Sequence, residues 1–160
     1  MFLPLKDKDV EKIITHLNNN QCLFIETETN RKINLTNKMI LRNLIFNRTI
    51  IPFGEVDETG NIVNLGILNS SSENPKKNYI SIQYVELENN EFLRGFVEFS
   101  IEYCKKNSFG KIKLILNPKV IEKRLGDVMS KIEMCKFEKE IEYNNMVGKQ
   151  IVFARFVDDN

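Results

Sequence analysis

A chain of 160 residues, 42% apolar and 28% charged, has the make-up of one globular domain and can bury about 70% of the surface its unfolded form exposes. Its 23 Lys and Arg against 22 Asp and Glu leave a net charge of +1, so no global field draws it to nucleic acid, an acidic membrane or an acidic partner. Three cysteines (Cys22, Cys104 and Cys135), odd in number and without a CxxC pair, argue against a disulfide framework and suit a reducing cytoplasm. Each reads as a small buried hydrophobe.

From the first residue, Phe2–Leu5 predicts a short strand. Lys6-Asp7-Lys8-Asp9 interrupts the apolar start before a signal-peptide core forms, and no later run approaches the ~18 apolar residues of a membrane span. Asp7 or Asp9 caps a predicted helix to about Asn18, with Val10, Ile13, Ile14 and Leu17 on one face. Cys22–Glu28 and Lys32–Leu35 suit a small hairpin around Thr29-Asn30-Arg31. Thr36 is the expected N-cap of a second helix to about Phe46, with Ile40, Leu41, Leu44 and Ile45 inward. Thr49–Val56 and Ile62–Leu68 are β-branched runs flanking Asp57-Glu58-Thr59-Gly60-Asn61, a hairpin loop with a glycine available for positive φ.

Asn69–Asn78 has the composition of a surface loop. Tyr79–Val85 alternates, placing Ile80, Ile82 and Tyr84 opposite Ser81 and Gln83. Glu91–Asn107 is the strongest helix; Phe92, Phe96, Phe99 and Tyr103 follow its repeat as core, and Gly110 lies just beyond its end. Lys111–Leu116 predicts a strand, and Asn117-Pro118 opens a helical region, Lys119–Met134, interrupted at Gly126-Asp127. Phe137–Tyr143 and Gln150–Val157 close the chain as strands. A run of strands, a strand–helix–strand crossover and a terminal hairpin imply a mixed α/β (α+β) domain spanning 1–160, with helices on both faces of a mixed sheet.

Local chemistry is sparse. His16 is the only histidine, stands beside Thr15 without Cys or carboxylate at metal-ligand spacing, and reads as a surface or partly buried helix residue. Lys105, Lys106, Lys111 and Lys113 near Phe109 read as a solvated helix end, where Lys complements the dipole. There is no phosphate-binding loop and no dinucleotide fingerprint.

The order of elements from Phe2 to Val157 resembles the GNAT acyl-CoA N-acyltransferases, whose sheet is mixed and mostly antiparallel. That family binds coenzyme A after its fourth strand through Gln or Arg, two residues, Gly, one residue, then Gly or Ala. The corresponding segment is Asn90-Glu91-Phe92-Leu93-Arg94-Gly95, which keeps Gly95 but has Leu93 for the first glycine and Asn90 in the lead. Val85 falls at the valine that ends the fourth strand. The resemblance implies that the backbone of Val85 and Leu87 holds the pantetheine arm, and that amides from Leu93 through Arg94 to Gly95 hold the pyrophosphate. Glu86 is the best-placed general base and Glu55 the second. Aligned on Phe137, Ile132 stands at the family's proton-donating tyrosine and Lys136 at a glycine.

The activity implied is transfer of an acetyl group from acetyl-CoA, as co-substrate, to a primary amine by direct attack, in a cytoplasmic protein without nucleic-acid or membrane partners. A homodimer through the closing strands would be in keeping with the family. Leu93, Ile132 and Lys136 leave a second reading open, a GNAT-like binding or assembly module without catalysis.

Overall fold

The computed structural model describes residues 1–19, 37–70, 78–116, 118–145 and 148–157. In chain order the elements are β1 (Phe2–Pro4), a 3₁₀ turn (Asp7–Asp9), α1 (Val10–Asn19), α2 (Lys38–Phe46), β2 (Ile50–Val56), β3 (Ile62–Asn69), β4 (Tyr79–Val85), α3 (Asn90–Lys106), β5 (Lys111–Leu116), α4 (Pro118–Met134), β6 (Glu138–Asn145) and β7 (Gly148–Phe156). The strands form one seven-stranded sheet in the order β1-β2-β3-β4-β5-β7-β6. Every neighbouring pair is antiparallel except β4 and β5, which the α3 crossover makes parallel. This is the mixed α+β architecture that the element order predicts. The hairpin expected over residues 22–35 lies outside the described residues, as does most of the loop after Asn69.

Two cores share the sheet. One, beneath α3 and α4, gathers Phe53, Ile82, Phe92, Phe96, Ile112 and Phe153; the other, beneath α1 and α2, gathers Leu5, Ile13, Leu41, Ile45, Leu65 and Ile67. The aromatic repeat of α3 supplies the first. Phe92 stacks on Phe96 and on Phe53, Phe96 meets Phe53 at a tilt, and the Phe53 ring is 4.5 Å from that of Phe99. In the second, Leu41 and Ile45 are buried as expected, but Ile40 is exposed because it falls outside the narrow stripe that α2 turns inward.

Helix ends follow local chemistry. Asn37, rather than the expected Thr36, caps α2, its Oδ1 accepting the Ile40 N–H at 3.1 Å; Asn is at least as good a cap as Thr. Asn89 caps α3 in the same way through the Phe92 N–H at 3.0 Å. Asp9 works in the reverse sense of a plain cap, accepting the Lys6 N–H at 2.8 Å. The break in α4 falls at Arg124 (φ −147°, ψ 22°) rather than at Gly126-Asp127. The Arg124 guanidinium lies 3.7 Å from Glu88 and 3.6 Å from Asp127, tying the break to the start of α3.

The alternation read along Tyr79–Val85 breaks at one residue. Ile67 pairs with Tyr84 and Leu68 with Ile82, so Gln83 is an extra residue bulged from β4. Ile80 and Ile82 face the α3/α4 core, whereas Tyr84 faces the α1/α2 core. The phase change fixes which side of the sheet receives the next side chains.

Candidate active site

Strands β4 and β5 pair only at Tyr79↔Lys111, Ile80↔Ile112 and Ser81↔Lys113. Beyond that point β4 stays with β3 as far as Gly66↔Val85, and β5 stays with β7 as far as Leu116↔Ile151. The sheet therefore parts between β4 and β5 towards their carboxyl ends, where open α/β sheets place ligands. The parting is dry. Ile82, Val85, Leu87, Leu93, Ile132 and Phe137 leave a cavity of ≈ 20 Å³ there, room for about one water molecule. At its mouth an open polar hollow of ≈ 200 Å³ is lined by Glu88, Arg124, Asp127, Ser130 and Lys131.

The start of α3 faces this hollow. Asn90 is exposed and its Oδ1 accepts from Lys131 Nζ. Leu93 is buried, and its N–H donates to the Asn89 carbonyl at 3.0 Å. With Phe92 held by the cap, helix geometry leaves the Asn90 and Glu91 amides without an intrahelical acceptor. Arg94 is exposed, and a Cβ added at Gly95 would meet nothing within 4 Å. Burial pushes the Cys135 thiol up, against the pull of Arg155, Arg94 and Lys131; of these cations Lys131 lines the slot. Burial likewise raises Cys104, to about 12. Both thiols are buried, as expected for small hydrophobes; Cys22 lies outside the described residues.

Glu86 follows Val85 on the side of the sheet that the bulge assigns to Tyr84. It is 3% exposed, a buried carboxylate rather than a solvated one. Its Oε2 accepts the Leu65 N–H, and its Oε1 lies 2.6 Å from His16 Nε2 and 3.4 Å from the Tyr84 hydroxyl. His16 is the residue that sequence reasoning missed. Its partner stands 70 positions away, and no local spacing announces it. The available signal was helical phase, since His16 lies three residues after Ile13, at the border of the inward face. Glu55, the second carboxylate, is half-buried on β2 and accepts from Asn64 Nδ2 at 2.6 Å, away from this pair.

No protein-family model matches the sequence, and no curated protein matches it. Solved structures do match. A ribosomal-protein-S5-alanine acetyltransferase from Vibrio fischeri superposes with a TM-score of 0.69 at 15% identity, covering 99% of this chain and 93% of that one. A probable acetyltransferase from Staphylococcus epidermidis gives 0.68 at 12% identity over 98% of both chains. A variant of a spermidine N-acetyltransferase from Vibrio cholerae gives 0.66 at 15%, covering 98% of this chain and 93% of that one. The chain has the GNAT fold.

Two positions singled out in the sequence can now be read physically. Ile132 is 2% exposed and packs into the apolar slot. Lys136 has φ +63°, the left-handed conformation that glycine favours. It ends α4 in a Schellman turn, with Phe137 N–H donating to Ile132 O at 3.1 Å and Lys136 N–H to Glu133 O at 3.0 Å. Among the described residues no cluster of His, Cys, Asp and Glu is arranged to hold a metal ion, and no helix is long and apolar enough to cross a membrane.

Proposed function

We propose that this protein is an acetyl-CoA-dependent N-acetyltransferase acting on a primary amine. The observation that carries the reading is the parting of β4 from β5 directly beside the buried Glu86 carboxylate. In this reading the acyl chain of the co-substrate enters between the strands, with the backbone of Val85 and Leu87 along its arm. The opening of α3 receives the pyrophosphate: the Asn90 and Glu91 amides offer hydrogen bonds in place of the expected Leu93 amide, which already donates to the Asn89 carbonyl, Gly95 leaves open space, and Arg94 and Lys131 supply positive charge. Bound acetyl-CoA would supply an activated thioester. Proximity to the amine would then lower the barrier most, and the proton that the amine loses would leave towards the side of the sheet that holds Glu86.

The fit is good at the mouth and tight within. The open space at Gly95 and Lys131 at the rim suit a pyrophosphate, with Arg124 there offset by the carboxylates of Glu88 and Asp127, whereas ≈ 20 Å³ inside the slot requires side chains such as Leu93 and Ile132 to move aside. That tightness, with Ile132 where a GNAT enzyme carries a phenol, is what favours the second reading, a binding or assembly module without catalysis.

Calorimetry with acetyl-CoA on the purified chain, with Gly95→Trp as the blocking control, separates the two. Micromolar binding that the control abolishes supports the enzyme and justifies an amine screen by thiol release, beginning with spermidine, the substrate named for one of the similar structures. No binding at millimolar acetyl-CoA would overturn the enzyme reading in favour of the module.

A further inference from the structure

The hollow at the mouth of the slot is built around a guanidinium. Arg124 stands at the break in α4 and lines the hollow with Glu88, Asp127, Ser130 and Lys131. Its side chain is 25% exposed, so most of it is enclosed by protein. A guanidinium carries five N–H donors in a planar fork. Among the described residues this one makes no hydrogen bond. Its two ion pairs, with Glu88 at 3.7 Å and Asp127 at 3.6 Å, both run through Nη2 and both exceed hydrogen-bond length. An enclosed polar group without a hydrogen bond costs the fold stability, which points to an acceptor that completes it.

The two sides of these ion pairs are not equally held. The side chains of Glu88 and Asp127 are 57% and 75% exposed, so either carboxylate can turn into water at little cost while the guanidinium stays enclosed. Lys131, the other cation, donates to Asn90 Oδ1 at the start of α3, and Ser130 adds a hydroxyl to the wall. Two cations against two carboxylates leave the hollow neutral as it stands. With both carboxylates turned out, its wall carries the cations alone. The acceptor that suits it has more charge and more oxygens than a carboxylate, and it takes the parallel N–H bonds of an arginine fork. A phosphate has these properties.

We propose that Arg124 binds a phosphate group of the co-substrate, and that Glu88 and Asp127 occupy it only until that phosphate displaces them. This rests on reading the parted strands as the site of acetyl-CoA, but not on catalysis there. The group is one phosphate of the pyrophosphate or the 3′-phosphate of the nucleotide, which share this chemistry. No covalent bond changes. Paired N–H bonds replace two long ion pairs, and each carboxylate gains water in exchange.

The experiment is calorimetry of the full chain and its variants with acetyl-CoA and with the same thioester lacking the 3′-phosphate. Arg124→Gln should bind acetyl-CoA at least about 10-fold more weakly. Arg124→Lys should recover little of that loss, since an ammonium does not reproduce the fork. Competition gives the opposite sign at the carboxylates: Glu88→Gln and Asp127→Asn should each bind acetyl-CoA about 2- to 5-fold more tightly than the parent. These two variants carry the test by themselves if Arg124→Gln does not fold, because both positions are exposed. A loss in Arg124→Gln that vanishes with the 3′-dephospho ligand assigns the contact to the 3′-phosphate, and a loss that persists assigns it to the pyrophosphate. Parent-like binding by Arg124→Gln, or carboxylate variants that bind no more tightly, overturns the proposal and leaves the co-substrate site standing. A parent chain that binds no acetyl-CoA at millimolar concentration overturns the site itself, and the role of Arg124 with it.

Discussion

At the scale of single residues, two positions set stability by backbone and space rather than by contacts. Lys136 holds φ +63° in the turn that ends α4, and a left-handed conformation costs an L side chain about 1–2 kcal/mol that glycine is spared. Its side chain is exposed, so little packing is lost on removal. Lys136→Gly should raise the stability of the chain by about 1 kcal/mol, read as a higher urea midpoint with an unchanged slope. Gly66 presents the opposite case. A Cβ there would lie 2.4 Å from the Phe96 ring, which is fully buried and has nowhere to retreat. Gly66→Ala should cost about 1–3 kcal/mol through overpacking, measured by the same titration. A neutral result would mean that Phe96 can repack, against the density of the core around it.

The elements show which features a sequence makes legible. Strand β4 has the bounds that alternation predicts, and the hairpin between β2 and β3 turns at Gly60 with φ +83° as its composition suggests. The Gln83 bulge was not legible, because an extra residue shifts the phase of a strand without changing its composition. The His16–Glu86 pair hangs on that phase: unbulged, β4 would turn Glu86 towards the other core. The cap at Asn37 and the break at Arg124 each lie within two residues of their expected places, near the limit to which helix ends can be read.

A further feature emerges only from strand order. Because β7 lies between β5 and β6, Lys111 and Lys113 reach across it to Glu140, at 3.1 and 3.2 Å, over the small side chain of Ala154. Burial pushes the Glu140 carboxyl up, but hydrogen bonds and charge from Lys111 and Lys113 together outweigh it, leaving the group below its ordinary 4.5. A depressed carboxyl stabilises the fold above its unfolded pKa and loses that contribution as pH falls through the folded value. Glu140→Gln should therefore be less stable than the parent at pH 7, by up to about 1 kcal/mol for a partly exposed pair. The gap should close below pH ~4. A difference that persists at low pH would assign the effect to packing instead.

At the scale of the whole molecule, the proposed binding site raises the question of how so tight an apolar slot would admit a ligand. Each half of the sheet is self-sufficient beyond Ser81 and Lys113, with β4 held by β3 and β5 by β7, so widening the gap breaks no strand pairing. What resists widening is apolar contact among Leu87, Leu93, Ile132 and Phe137. Ligand entry must displace some of it, and that displacement weakens affinity by the same free energy. Ile132→Ala separates the two quantities. Removing a side chain that is 2% exposed should destabilise the fold by about 2–5 kcal/mol, since the site cannot fully collapse. It should also enlarge the space between the strands and lower the cost of entry, so acetyl-CoA should bind more tightly to the folded variant. Urea unfolding reads the first quantity and calorimetry, at a temperature where the variant stays folded, reads the second. Lower stability with tighter binding would mark the parted strands as the ligand's path. Lower stability with unchanged or weaker binding would mean that Ile132 is core alone and that a ligand, where one binds, enters elsewhere.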